Sequence, residues 1–430
     1  MGNPILSRFH RSVRCGLRLG GALLLASLIV ILLTVACSLD QNEFKVETLE
    51  VSARLVDFDP VNNEGVNLAQ RRSLVDGTAT GVEWDVVDYT YVPVSAEFGT
   101  GGGSFMLGVK VVFQLEEIPE FPDPFRGRVY FLLQWSDSRA DRLGPRLVFD
   151  SDQPISGNCD PQLETCVWRL TDEDEDRAVL MFDAGAASGR LGSFGDVGCT
   201  AACHGNMHPL SGAVDIWHWR AARTNPLPVD YVPGAASVDA TGYADDEYAT
   251  ASGRVGDVGQ SFFRNNYVEI DCGDGTRGYQ PIKISDAIAV DGTASIDPNE
   301  DMAPCDYTSD QTGIRFTECT TRNPCREFED RDVLNWVVGD DLPATLLRRP
   351  QGPSQRASRH DIEARGRWEA GVWTLELSRG LLTGNDDDIQ FDLWQQRAYM
   401  LSIAIMDNSG AVHAGTPPLR LTFPIQVERP

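Results

Sequence analysis

The chain has 430 residues, 42% hydrophobic and 9% aromatic, with 63 Asp+Glu against 37 Lys+Arg and a formal net charge of −26. That length gives one large or two ordinary domains, and the apolar and aromatic content excludes wholesale disorder. An acidic excess of this size excludes a nucleic-acid binder that tracks phosphates.

Residues 1–36 read as a lipoprotein signal peptide. Arg8, Arg11, Arg14 and Arg18 precede an apolar run over residues 22–36, which ends at Cys37. A basic start and a short apolar run are secretory features, and the run is shorter than the ~20 residues a membrane span prefers. Thr34-Val35-Ala36-Cys37 resembles a bacterial lipobox, with Cys37 as the lipid acceptor; an uncleaved anchor is the plainer alternative. The body is therefore expected outside the cytoplasm, lipid-anchored at the periplasmic face or the outer membrane. Residues 37–69 read as an N-terminal linker and first strand, and 70–430 as the main domain.

Period-two alternation dominates that domain. Val109, Val111, Phe113 and Leu115 alternate with Lys110, Val112, Gln114 and Glu116, and Trp373, Leu375 and Leu377 alternate with Thr374, Glu376 and Ser378. Both segments read as half-buried strands. Residues 129–135, 178–182, 399–406 and 419–425 are further strand candidates between Gly, Pro, Asp and Asn clusters. No long amphipathic helix appears. The pattern predicts an all-β fold, a β-sandwich whose two sheets bury their inner faces. Residues 255–335, rich in Asp, Asn, Gly and Thr, read as a loop-rich, cysteine-bearing insertion, which needs stapling or a function.

Outside the cytoplasm, cysteines pair. Cys159 with Cys166 and Cys319 with Cys325 are the expected disulfides, and Cys272 with Cys305 is a third. Cys199 and Cys203 differ, because Cys199-Thr-Ala-Ala-Cys203-His204 is a CxxxCH segment, one residue longer than the CxxCH of c-type haem attachment. In that chemistry the two thiols bond to the porphyrin and the adjacent His supplies the proximal ligand. A local disulfide and a zinc site from Cys199, Cys203, His204 and His208 compete for these residues; one covalent haem c leads. His218, between Trp217 and Trp219, is the leading distal ligand, with Met207, His208 and His413 as alternatives. Trp217 and Trp219 suit a porphyrin edge, although a structural His between core Trp residues reads almost as well. Arg220 and Arg223 suit haem propionates, with salt bridges as the alternative. His360 reads as a surface residue. The acidic runs Asp172–Asp176 and Asp386–Asp388 read as solvated turns rather than calcium loops, and Asp245 and Asp246 as local backbone partners.

The CH pair, followed by VDIWHWRAARTNP (214–226) and GYADDEY (242–248), resembles the haem-binding domain family typified by the ethylbenzene dehydrogenase gamma subunit. Other landmarks agree in order: DGTATGVEW (76–84), VYFLLQWSD (129–137), EDEDRAVLMF (173–182), HDIEARGRWEAGVWTLELSRGLLTGNDDDIQF (360–391) and AIMDNSGAVHAG (404–415). The resemblance spans about residues 70–425. It implies a sandwich similar to a carbohydrate-binding module, haem at one end, electron transfer, and a molybdenum oxidoreductase or another cytochrome as redox partner. Gamma subunits of that family hold b-type haem through Met and Lys; with its CxxxCH this chain looks like a c-type branch, and those ligands are not carried over. The insertion at 255–335 lies outside the resemblance. No acid, base or nucleophile constellation stands out, so the chain reads as an electron-transfer protein rather than an autonomous enzyme. The alternatives are a carbohydrate-binding lipoprotein without haem and a zinc-stabilised module.

Overall fold

In a computed structural model the described residues are 48–424, apart from 57–74, 80–83, 116–126, 142–143, 151–167, 173, 185–192, 200–208, 210–211, 226–241, 266, 272–276, 282–300, 303–340, 349–356 and 394–397. Fifteen strands build two facing sheets. They are β1 (Leu49–Ser52), β2 (Arg54–Leu55), β3 (Thr90–Val94), β4 (Phe105–Leu115), β5 (Gly127–Ser136), β6 (Arg177–Asp183), β7 (Val214–Arg220), β8 (Gly242–Tyr243), β9 (Asp245–Thr250), β10 (Gly253–Gly256), β11 (Glu363–Glu369), β12 (Val372–Gly380), β13 (Ala398–Met406), β14 (Ala414–Gly415) and β15 (Leu419–Thr422). The first sheet runs β1-β15-β13-β6-β7-β9-β10, with β14 on β13; the second runs β8-β11-β12-β5-β4-β2, with β3 on β4.

Alternating side chains explain why the sheets face each other. Val109, Val111, Phe113, Phe131, Leu133, Leu375 and Leu377 of the second sheet share one buried cluster with Leu180, Phe182, Trp217, Trp219, Leu401 and Ile403 of the first. This is the expected all-β sandwich. The first strands cross between layers: β1 lies parallel to β15 and β2 parallel to β4, with only Ala53 between them. Gly366 of β11 supplies the space for a core indole, since a Cβ there would sit 2.2 Å from Cζ2 of Trp219.

The second sheet is also covered on its other face. Val112, Tyr130 and Leu132 pack against Val75 and Trp84. There Glu376 of β12 accepts hydrogen bonds from the Asp76 and Gly77 amides at 2.5 and 2.6 Å and from Trp84 Nε1 at 2.6 Å. Burial nevertheless pushes its carboxyl up to about 8. A folded-state value above the unfolded one means the folded chain holds a proton that the unfolded chain releases. The linked stability is full below about pH 4.5 and lost as pH rises through 8. The melting temperature is therefore expected to fall between pH 5 and 9, and Glu376→Gln to flatten part of that slope in thermal unfolding followed by circular dichroism.

Most of the expected strands form within a residue or two of their predicted ends, and residues 419–425 form a strand over Leu419–Thr422. The insertion contributes Phe263–Asn265, Tyr267–Asp271, Arg277–Pro281 and Asp301–Met302; much of the rest lies outside the described residues, as do residues 1–47 with Cys37. So do Cys159, Cys166, Cys272, Cys305, Cys319 and Cys325. His360 departs from its expected exposure: it is buried, with its ring 4.3 Å from that of Phe262. A short 3-10 turn, Ser358–His360, folds it under Phe262 and Tyr243.

Candidate functional site

The VDIWHWR segment is the central strand β7, and its alternation separates the expected site residues. Trp217 and Trp219 point inward, among Phe131, Phe182, Trp135 and Trp373. They are core residues, facing away from His218, because successive side chains of a strand take opposite sides. His218 stands on the outward face, across from Val179 of β6 and Asp245 of β9.

Beside that polar group, part of the outward face is covered and apolar. Val179, Met181, Val214, Ile216, Ala249 and Ala404 form a buried cluster with Phe194 and Cys199, and Met406 packs against it. Phe194–Val197 is a single helical turn that leads directly into Cys199. The first thiol of CxxxCH therefore lands on a dry sheet face. Cys199 is disulfide-bonded, with its partner outside the described residues. Cys203, His204, Met207 and His208 also lie outside them.

Two imidazoles belong to this part of the fold, and their hydrogen-bond partners differ. Arg220 Nη2 lies 2.8 Å from His218 Nδ1. A guanidinium only donates, so Nδ1 accepts and the ring proton sits on Nε2. Burial, then the charge of Arg220, push His218 well below its ordinary value and keep it neutral. Its Nε2 is buried without a hydrogen-bond partner. His413 is held differently: its Nδ1 lies 3.2 Å from the Ala411 carbonyl and 3.1 Å from the Thr100 hydroxyl. Its Nε2 lies 3.3 Å from Cys199 Sγ.

The two arginines assigned to propionates are taken up by protein carboxylates instead. Arg220 bonds Asp245 and Glu247, both at 2.9 Å, and Arg223 bonds Asp174 at 3.1 Å and Glu175. Burial opposes charge on Glu247, but Arg220 above all, with Arg254, outweighs it and holds the carboxyl well below its usual range. Asp245 and Asp246 likewise bond guanidiniums, from Arg359 and Arg379, rather than local backbone. Glu175 and Asp176 are buried, although Asp172 is the exposed turn residue expected. Asp386 is exposed while Asp388 is buried.

Sequence reading missed Met181, Met406 and the Asp215–Arg379–Asp246 cluster. Alternate apolar positions in AVLMF were the available signal for Met181, since they put it on the face opposite Leu180.

Two face-packed sheets, with a disulfide-bonded cysteine and two imidazoles over the outward side of the first, define a β-sandwich domain. Residues 127–416 match the family model described as ethylbenzene dehydrogenase. The match covers well over half of the chain, and the chain belongs to that family. A search of curated proteins finds no match.

Proposed function

We propose that the chain is an extracytoplasmic, lipid-anchored c-type haem protein that passes single electrons, with a molybdenum oxidoreductase or another cytochrome as partner. The observation that carries this reading is Cys199 seated on a buried apolar sheet face, with His413 Nε2 3.3 Å from its sulfur. Cys199 and Cys203 would hold one covalent haem and His204 its proximal side. His413 is the better second imidazole, because His218 carries its proton on Nε2 and cannot ligate through that atom. The same buried Nε2–H suits an acceptor such as a propionate oxygen, a role that Arg220 and Arg223 are not free to fill. The haem supplies the redox change; the chain supplies attachment, ligation and a shell that excludes water. Thioether formation consumes free thiols, so the Cys199 disulfide must be reduced first.

Zinc is the second reading, and the same contact favours it. Structural zinc takes Cys and His ligands from separate segments, and His413 is brought to Cys199 across 214 residues, although zinc too would need the Cys199 disulfide reduced. The mature chain, expressed with its own signal in a host that matures haem c, separates the two. Under the haem reading it is coloured, with a Soret band that stays with the protein through acid–acetone extraction. A colourless, folded chain holding one zinc would overturn that reading.

A further inference from the structure

On the inner side of the first sheet, facing away from Cys199, four aspartates gather around one guanidinium and two more join them through Asp388. Asp215 of β7, Asp246 of β9, Asp257 just past β10, Asp361, and Asp387 and Asp388 of the β12–β13 connection meet there with Arg379 of β12. Carboxylate oxygens of Asp257, Asp387 and Asp388 lie within 4.8 Å of one another, and so do those of Asp215, Asp246 and Asp388. The two sets share Asp388.

An acidic cluster alone would say little; the unmet oxygens say more. Arg379 bonds one oxygen each of Asp215 and Asp246, at 2.7 and 3.0 Å. Among the described residues the other oxygens of these two are buried without a hydrogen-bond partner, as is Oδ1 of Asp388, which Arg379 Nη1 approaches only to 3.6 Å. Asp257 has no such partner at either oxygen and is only 4% exposed. Buried carboxylates are ordinarily paired or bound to metal, because an unmet charge in a dry site is expensive. One cation cannot satisfy this many. All donors are oxygens, with no sulfur or imidazole among them, which selects a hard divalent ion over a transition metal.

We infer that Asp257, Asp387 and Asp388 hold a calcium ion, with the unmet oxygens of Asp215 and Asp246 beside it. Calcium takes six to eight oxygens in flexible geometry, which suits ligands from separate segments. The ion would tie the edge of the first sheet to the connection leaving β12 of the second, and so lock the sandwich at the end where β9 and β10 lie. This site stands whether or not the chain carries haem.

The mature chain, melted in EGTA and in about 2 mM calcium, a concentration that fills extracellular-type sites, gives the test. Calcium is expected to raise the melting temperature by about 4 °C, and equilibrium dialysis to find one calcium per chain, with magnesium far less effective. In EGTA, Asp257→Asn is expected to melt at or above the parent, since it removes a buried carboxyl crowded by Asp387 and Asp388, and to lose the calcium response. Asp387→Asn, at a half-buried position, repeats the measurement if Asp257→Asn fails to fold. A parent that melts equally in both buffers and retains no calcium would sink the proposal, and so would a variant that keeps the full response.

Discussion

Arg379→Leu is expected to leave the chain unfolded, or melting far below the parent, in circular dichroism and limited proteolysis. Arg379 is fully buried. Its guanidinium donates to Asp215, Asp246 and the Ile389 carbonyl, at 2.7, 3.0 and 2.9 Å, and lies 4.7 Å from the Trp217 ring centroid. Burial alone would lower its pKa, but the surrounding aspartates outweigh that and raise it. Leucine replaces some packing and none of the charge. Breaking a buried ion pair costs about 3–5 kcal/mol because the partner stays charged in the interior, and here more than one partner is stranded. Against the 5–15 kcal/mol of a typical domain, that loss is decisive. Arg379→Lys keeps the charge but places one ammonium where a fork reaches two carboxylates, so it should melt between parent and Leu variant.

The same cluster shows why the sandwich was legible in the sequence and much of the site was not. The VYFLLQW segment announces a strand on its own, because aromatic and β-branched residues at consecutive positions suit a strand covered on both faces. VDIWHWR forms just as regular a strand. Its buried polar residues, however, are satisfied by groups far away in the chain: Arg379 is 164 residues from Asp215 and 133 from Asp246. Local alternation shows that 215, 217 and 219 share a face; it does not show which face is inside. The sequence therefore paired His218 with two haem-facing Trp residues that the fold sends to the other side. Arg223 was misread for the same reason, since Glu175 lies 48 residues away in an acidic run that looks solvated. The nearness of Cys199 to His413 spans 214 residues and left no trace in spacing. The family resemblance, carried by the order of several short motifs, survived these errors because it did not depend on which way any side chain points.

The choice between His413 and His218 gives the second large effect. In the haem-loaded chain, His413→Ala is expected to convert a six-coordinate, low-spin spectrum to a high-spin one that binds added imidazole or carbon monoxide, with covalent haem retained. His218→Ala is expected to keep the low-spin spectrum and to lower stability, since Arg220 and Glu247 lose a buried neighbour. The difference follows from one proton. Arg220 claims the lone pair of His218 and leaves an N–H at its other nitrogen, whereas His413 faces the Cys199 sulfur through Nε2, with Nδ1 turned to the Ala411 carbonyl and the Thr100 hydroxyl. If His218→Ala alone changed spin state, the Arg220 contact would have to break on haem binding and His218 would be the ligand. Were the site zinc instead, His413→Ala would lower zinc content in a colourless chain, and His218→Ala would leave it unchanged.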